Sequence, residues 1–370
     1  MPQTHRAIPS WTWITPVLAS VLLALKFLYI VPPDATVVLV LAGILLGAAV
    51  FAAVHHAEML ALKLGEPFGS ILLAVAVTVI EVALIVSIMI SGAEGSEAVA
   101  RDTVFAAVMI VLNGVVGLCL IVGGRKHFEQ TFQLMGASSA LAVLGTLSAL
   151  ALILPNYTLA TLGPAYSPAQ AIFVGVASLV LWAVFVFVQT VKHRAYFLDE
   201  PQEVTQTADN EPLHHSPPSD REALLCLGLL LVSLVAVVLL AKALSGALDS
   251  GIDAAGLPNS FVGVVIAAIV LFPEGIAATK SAAKNHLQNS INLALGSAIA
   301  SIGLTIPTVA VVSLILGQTL SLGISGANMT LLILTLFVST LTLGTGRTTV
   351  LQGAIHLVIF AVFLLVAAIP

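Results

Sequence analysis

Long apolar stretches separated by short polar or turn-forming segments are the dominant pattern along the chain. Eleven of them reach the length of a membrane-spanning helix, which needs about 20 predominantly apolar residues. They lie at about 13–31, 36–54, 68–90, 104–122, 138–154, 169–190, 223–244, 261–280, 290–316, 327–343 and 350–368. The pattern predicts an all-α integral membrane protein.

The composition supports this prediction and excludes several other classes of protein. The 370 residues are 59% hydrophobic and 8% charged, whereas soluble proteins are about 25% charged. With 13 basic residues and a net charge of −5, the chain lacks the dense basic patch that nucleic acid binding requires. Cys119 and Cys226 lie in apolar runs without a metal-binding or disulfide spacing. No cofactor motif is present, and the sequence has no ATP-binding glycine-rich loop.

The positions of lysine and arginine predict the orientation in the membrane, because cytoplasmic loops carry the excess of these residues. With the N-terminus inside, ten of the 13 basic residues face the cytoplasm. They are Arg6, Lys63, Arg125, Lys126, Lys192, Arg194, Arg221, Lys280, Lys284 and Arg347. Only Lys26, Arg101 and Lys242 lie elsewhere. An odd number of helices then places the C-terminus outside.

One long hydrophilic segment divides the chain, and its acidic, weakly hydrophobic composition is typical of a flexible cytoplasmic linker. We favour a solvated tether; the alternative is a cation or pH sensor built on its carboxylates and on His214 and His215. Apart from the first helix, five helices precede the linker and five follow it. Five is odd, so the second set enters the membrane in the opposite orientation, as in transporters with inverted repeats. The predicted units are an N-terminal segment with the first helix (1–35), the first repeat (36–191), the linker (192–222) and the second repeat (223–370).

Only two acidic residues lie deep in predicted spans, and they occupy matching positions in the two repeats. Glu81 and Glu274 are each in the second helix of a five-helix half, near mid-depth. A charged side chain there costs about 2.5–3.5 kcal/mol on insertion scales, and such residues normally face a polar cavity and serve transport. The alternative is a structural role, in which a protonated glutamate forms hydrogen bonds between neighbouring helices.

The helix after each glutamate offers further oxygen ligands. Ser297, Ser301 and Thr305 share one helical face in the second half, and aligning the two halves places Asn113 opposite Ser301. We also include Thr78 among the candidate ligands. The alternative for the serines is close helix packing, which small residues permit.

Two prolines bear on the same region. Pro273 and Pro307 are expected to break their helices and free backbone carbonyls beside the carboxylates.

Together these groups form an all-oxygen site for a transported cation, held chiefly by Glu81 and Glu274. Hard cations such as calcium prefer carboxylate and carbonyl oxygens. Burial and a neighbouring like charge both favour the protonated form of a carboxyl, so cations and protons compete for one site. This competition, with an empty charged pair too costly to move across the membrane, is the mechanism of an antiporter.

The cytoplasmic end of the second span carries a further polar group, His55, His56 and Glu58. We expect Glu58 to serve access or regulation. The histidines could titrate near neutral pH at such a mouth, and the alternative for all three is ordinary interfacial polarity.

At these residues the sequence also resembles a known family, the ChaA-type calcium/proton antiporters of bacteria. The resemblance covers nearly the whole chain and is carried by residues 55–58, 77–84, 271–277 and 295–305. It implies a multi-pass protein of the bacterial inner membrane, with one leading helix, two inverted five-helix repeats and an acidic linker. Glu81 and Glu274 would be the exchanging carboxylates, for calcium and also for sodium and potassium. The wider calcium/cation antiporter superfamily usually has Gly-Asn shortly before each glutamate, where this chain has Val77-Thr78 and Val270-Leu271.

Two other functions compete with antiport. A passive cation channel could be lined by the same two carboxylates. An intramembrane hydrolase is disfavoured, because no HExxH motif occurs and Ser138 and Ser139 have no obvious base at matching depth. We therefore expect a transporter and not an enzyme.

Overall fold

The computed structural model describes residues 9–32, 35–65, 68–92, 95–198 and 218–370. Within this part of the chain, eleven helical spans are long and apolar enough to cross a membrane, which confirms the predicted fold class. Most of the proposed linker, from 199 to 217, lies outside the described residues, and so do its acidic residues from Asp199 to Glu211 and both of its histidines.

The first six spans comprise the leading helix and the first half. They are α1 (Ser10–Phe27), α2 (Thr36–Leu64), α3 (Phe68–Ser91), α4 (Val99–Met109) with α5 (Val116–His127), α6 (Leu134–Ser148) and α7 (Pro168–Phe187). A π-helical segment, Ile110–Val115, joins α4 to α5 without a break, so the two form one span.

The second half supplies five spans: α8 (Asp220–Ala254), α9 (Phe261–Ala283), α10 (Leu287–Leu316), α11 (Gly326–Leu343) and α12 (Val350–Ala368). Local sequence sets several helix starts. Ser167 and Ser219 form capping boxes with Gln170 and Glu222 at the starts of α7 and α8, which satisfies amide groups that would otherwise lack partners.

The two prolines do not break their helices, contrary to the sequence-based expectation. Pro273 lies inside α9 and Pro307 inside α10, and both helices continue through them. A membrane helix tolerates an internal proline because neighbouring helices and side chains compensate for the lost hydrogen bond. The irregular segment of this region is instead the π-helix that contains Asn113.

Helix α10 lies at the centre of the molecule and packs against α3, α9 and α7. Its contact with α7 is close because of glycine: a Cβ atom on Gly303 would lie 2.6 Å from the Cβ of Trp182. The two halves also meet at a short antiparallel pair of strands, β1 (Gln130–Thr131) and β2 (Arg347–Thr348). This packing places α10 between the two helices that carry the buried glutamates.

Candidate functional site

Both buried glutamates face helix α10 and not the lipid. Glu81 on α3 is 2% exposed and Glu274 on α9 is 6% exposed. The Ser301 hydroxyl donates a hydrogen bond to Glu81 Oε1 at 2.7 Å, and the Ser297 hydroxyl donates one to Glu274 Oε2. Ser297 and Ser301 are one helical turn apart, a rise of about 6 Å. One turn of α10 therefore brings together two carboxylates from opposite halves of the chain.

The oxygen atoms of this pair are not all engaged. Glu274 Oε1 is buried and has no hydrogen-bond partner among the described residues. The Thr305 hydroxyl, one turn beyond Ser301 on α10, is likewise buried without a partner there. A buried polar atom without a partner costs roughly 1–3 kcal/mol, and a cation or proton at the carboxylate would remove that cost.

A cavity of about 690 Å³ leads to one of the two carboxylates. It is lined by Glu274 and Ser297 at its inner end and by Gly65, Arg194 and Leu198 at the helix ends. Lys63 and Lys192 are close in sequence to these ends, and the distribution of basic residues predicts a cytoplasmic position for both lysines. The lining does not include Glu81 or Ser301. The cavity therefore reaches Glu274, whereas Glu81 is buried and does not line it.

Glu58 also lines this cavity, as its proposed role in access requires. Glu58 is exposed, so its charge can act on ions in the cavity. Three amide side chains outside the predicted site line the same space: Gln189, Asn289 and Asn292. Their signal in the sequence is weak, because each stands near the end of an apolar stretch, where polar residues are common.

The two histidines beside Glu58 do not line the cavity; they face the leading helix. His56 is fully buried, and its Nε2 atom donates a hydrogen bond to the Thr12 carbonyl at 3.1 Å. That carbonyl lacks the usual helical donor because the residue four positions later is Pro16, which has no N–H group. The ring of His55 contacts the Trp11 ring, with centroids 5.8 Å apart. The pair therefore fixes α1 to α2.

Asn113 and Thr78 bond to groups other than the carboxylates. The Asn113 amide donates to the Thr335 hydroxyl at 2.9 Å, and its oxygen accepts from Nδ1 of His356 at 3.1 Å. The other ring nitrogen of His356 accepts from Thr342. Thr78 donates to the Ala74 carbonyl of its own helix. The network around Asn113 ties the π-helical segment to α11 and α12.

Known proteins resemble this chain in both sequence and fold. The sodium/calcium exchanger protein family matches residues 35–191 and 225–369. A protein of Sinorhizobium fredii provisionally named an ionic transporter, y4hA, is 56% identical over 98% of this chain and 97% of its own length. The sodium-potassium/proton antiporter ChaA of Escherichia coli is 35% identical over 88% of this chain and 87% of its own. In fold, the chain resembles native YfkE, with a TM-score of 0.71 and 16% identity over 97% of this chain and 100% of that one.

Proposed function

The chain belongs to the sodium/calcium exchanger protein family, and we propose that it is a secondary active antiporter that exchanges cations for protons. The observation that carries the proposal is that two serines on adjacent turns of α10, Ser301 and Ser297, donate hydrogen bonds to Glu81 and Glu274 respectively. Two buried carboxylates can hold a cation when ionised or protons when neutral. One site therefore serves both ligands in turn.

Calcium is the cation we propose first, with sodium and potassium as further substrates. The site offers carboxylate and hydroxyl oxygens, which hard cations prefer. Two carboxylates balance the charge of one divalent ion. The family and the Escherichia coli relative support cation exchange, which favours an antiporter over a passive channel.

The proposed mechanism is alternating access with exchange at the shared carboxylates. In the conformation described, an ion from the cavity reaches Glu274 first, and Ser297 and Ser301 hold the carboxylates beside each other. A loaded or protonated pair is close to neutral, whereas the empty ionised pair would carry its charge into a low-dielectric region at high cost. The helices therefore change position only when a ligand is bound, which couples the two fluxes.

We place the protein in the bacterial cytoplasmic membrane, with the N-terminus inside and the C-terminus outside. The basic residues at the ends of α5 and α9 support this orientation. The cavity then faces the cytoplasm, and Glu58 raises the local concentration of cations near its mouth. In this orientation the protein exports cations in exchange for entering protons.

Purified protein in liposomes provides the test. A pH gradient imposed across the membrane should drive uptake of calcium, sodium or potassium into vesicles that are acidic inside, and each cation should in turn release protons. The channel alternative predicts cation flux down its own gradient without coupled proton movement. Uncoupled flux, or no flux of any of the three cations, would refute the proposal.

A further inference from the structure

A second cavity of about 640 Å³ lies on the lipid-facing side of the helix that carries Glu274. This groove runs between α5, α9 and α12, and its walls are apolar, with Leu118, Val122, Phe272, Leu357 and Phe360 among them. Phe272 is 59% exposed and Leu118 is 44% exposed. In a membrane-spanning bundle these side chains meet lipid. The groove is therefore shaped for a hydrocarbon chain and not for a polar solute.

Two glycines create the concave floor of the groove. Gly114 and Gly275 both line it, and neither presents a side chain that would fill it. A Cβ atom on Gly114 would contact the Phe360 ring at 3.4 Å, and one on Gly275 would contact Val115 at 3.2 Å. The helices thus approach closely at the floor while the larger side chains stand at the rims.

One end of the groove is basic. Lys280 lines it, and Lys284 follows one helical turn later, at the end of α9. Lys126 and His127 reach the same end from α5, where both bond to the Ala283 carbonyl at 2.9 and 3.1 Å.

The two α9 lysines are available for an anionic ligand. Neither forms an ion pair within the part of the chain that the structure describes, although the Glu58 charge acts on Lys280 from the cavity side of α9. Both lysines are exposed at the membrane boundary. An apolar groove that ends in two exposed lysines at the membrane surface matches the two chemical parts of an anionic phospholipid.

We propose that this groove binds one anionic phospholipid, with an acyl chain against Phe272 and Leu118 and its phosphate beside Lys280 and Lys284. The apolar walls select a chain from the bilayer, and the lysines select a negative headgroup. The binding does not depend on which cation is transported.

Such a lipid would contact α9 on the face that carries Phe272 and Gly275, away from the Glu274 side chain. Phe272 and Gly275 line the groove, whereas the Glu274 side chain lines the cavity on the other side. Residues two positions apart on a helix, such as Phe272 and Glu274, point about 200° apart, so the two faces of α9 serve different ligands.

Native mass spectrometry of the full-length protein in detergent tests the proposal. The probes are phosphatidylglycerol and phosphatidylcholine with identical acyl chains. We expect one phosphatidylglycerol to remain bound per protein, in clear preference to phosphatidylcholine. The double variant Lys280→Gln/Lys284→Gln should bind it about 30-fold more weakly, and Leu118→Trp, which fills the groove, should also weaken it. The control Lys192→Gln/Arg221→Gln removes two exposed charges from the same membrane face outside the groove and should bind normally.

Several results would overturn the proposal. Equal retention of the two lipids would do so, as would equal losses in the lysine variant and in the control. Displacement by inorganic phosphate alone would show that the groove contributes nothing, and a dimer that the Leu118→Trp variant dissociates would show that a second copy occupies it. Because the readout is a bound mass, failure of cation exchange would leave this result unaffected, and failure of lipid binding would leave the antiport proposal intact.

Discussion

Removal of the Ser301 hydroxyl is the perturbation whose effect the structure specifies most closely. Ser301 is 1% exposed and donates to Glu81 Oε1 at 2.7 Å. Alanine at this position leaves the helix backbone unchanged and deletes only that donor. The ionised form of Glu81 loses more than the protonated form, because hydrogen bonds to charged groups are the stronger ones.

The magnitude follows from the value of such a bond. A buried hydrogen bond to a charged group contributes about 1.5–3 kcal/mol, and each 1.4 kcal/mol corresponds to a factor of about ten. Ser301→Ala should therefore raise the cation concentration needed for half-maximal exchange by about tenfold or more. The exchange cycle itself should continue, since both carboxylates remain.

The assay is calcium uptake into liposomes driven by a pH gradient, measured over a range of calcium concentrations at two external pH values. The variant should need a larger excess of calcium at the lower pH, where protons compete more strongly. Ser313→Ala is the matched control: Ser313 is also buried on α10, but among the described residues its hydroxyl bonds only to the Ala310 carbonyl. An unchanged calcium dependence in Ser301→Ala, or an equal change in Ser313→Ala, would show that the Ser301 hydroxyl does not stabilise the ionised form of Glu81.

Four further changes have expected outcomes. Asn113→Ala should lower the thermal unfolding midpoint in detergent, because it leaves His356 without its acceptor at a cost of about 1–3 kcal/mol; an unchanged midpoint would count against the network. His56→Ala should expose α1 to limited proteolysis, whereas His56→Gln, which keeps a donor for the Thr12 carbonyl, should protect it; equal cleavage of both would contradict the docking role. Glu58→Gln should slow cation uptake most at low ionic strength, where charge steering is strongest; a loss independent of salt would argue against steering. Deletion within 201–217 should alter apparent affinity or pH dependence at most, and loss of all exchange in correctly inserted protein would place the linker in the mechanism.

The number of spans could be predicted from the sequence because apolar length is a direct signal of membrane crossing, but the helix ends could not. The second span was predicted to end at residue 54, whereas α2 continues to Leu64. His55, His56 and Glu58 lower the local hydrophobicity, yet they continue the helix because α1 buries His56 and the cavity accommodates Glu58. The predicted span stopped where these polar residues begin, whereas contacts of His56 with α1 and the position of Glu58 at the cavity allow α2 to continue.

The two carboxylates of the candidate site could be predicted from the sequence because a charged residue inside a membrane span is costly. Glu81 and Glu274 stood out for that reason, and the four-residue spacing of Ser297 and Ser301 placed both on one face. The partner of Asn113 was not accessible. His356 lies 243 positions away, and a span that is apolar on all sides gives no periodic signal for the rotation that brings the two together.

Replacement of each carboxylate by an amide, in Glu81→Gln and Glu274→Gln, tests whether one pair of carboxylates carries both cations and protons. Glutamine keeps the shape and can still accept a hydrogen bond from the serine, but it can neither release a proton nor supply the negative charge that a divalent cation requires. Calcium uptake driven by a pH gradient is measured in inverted membrane vesicles, with insertion of each variant verified separately. Each variant should lose coupled exchange completely, and robust exchange by either one would show that the two carboxylates are not the shared site.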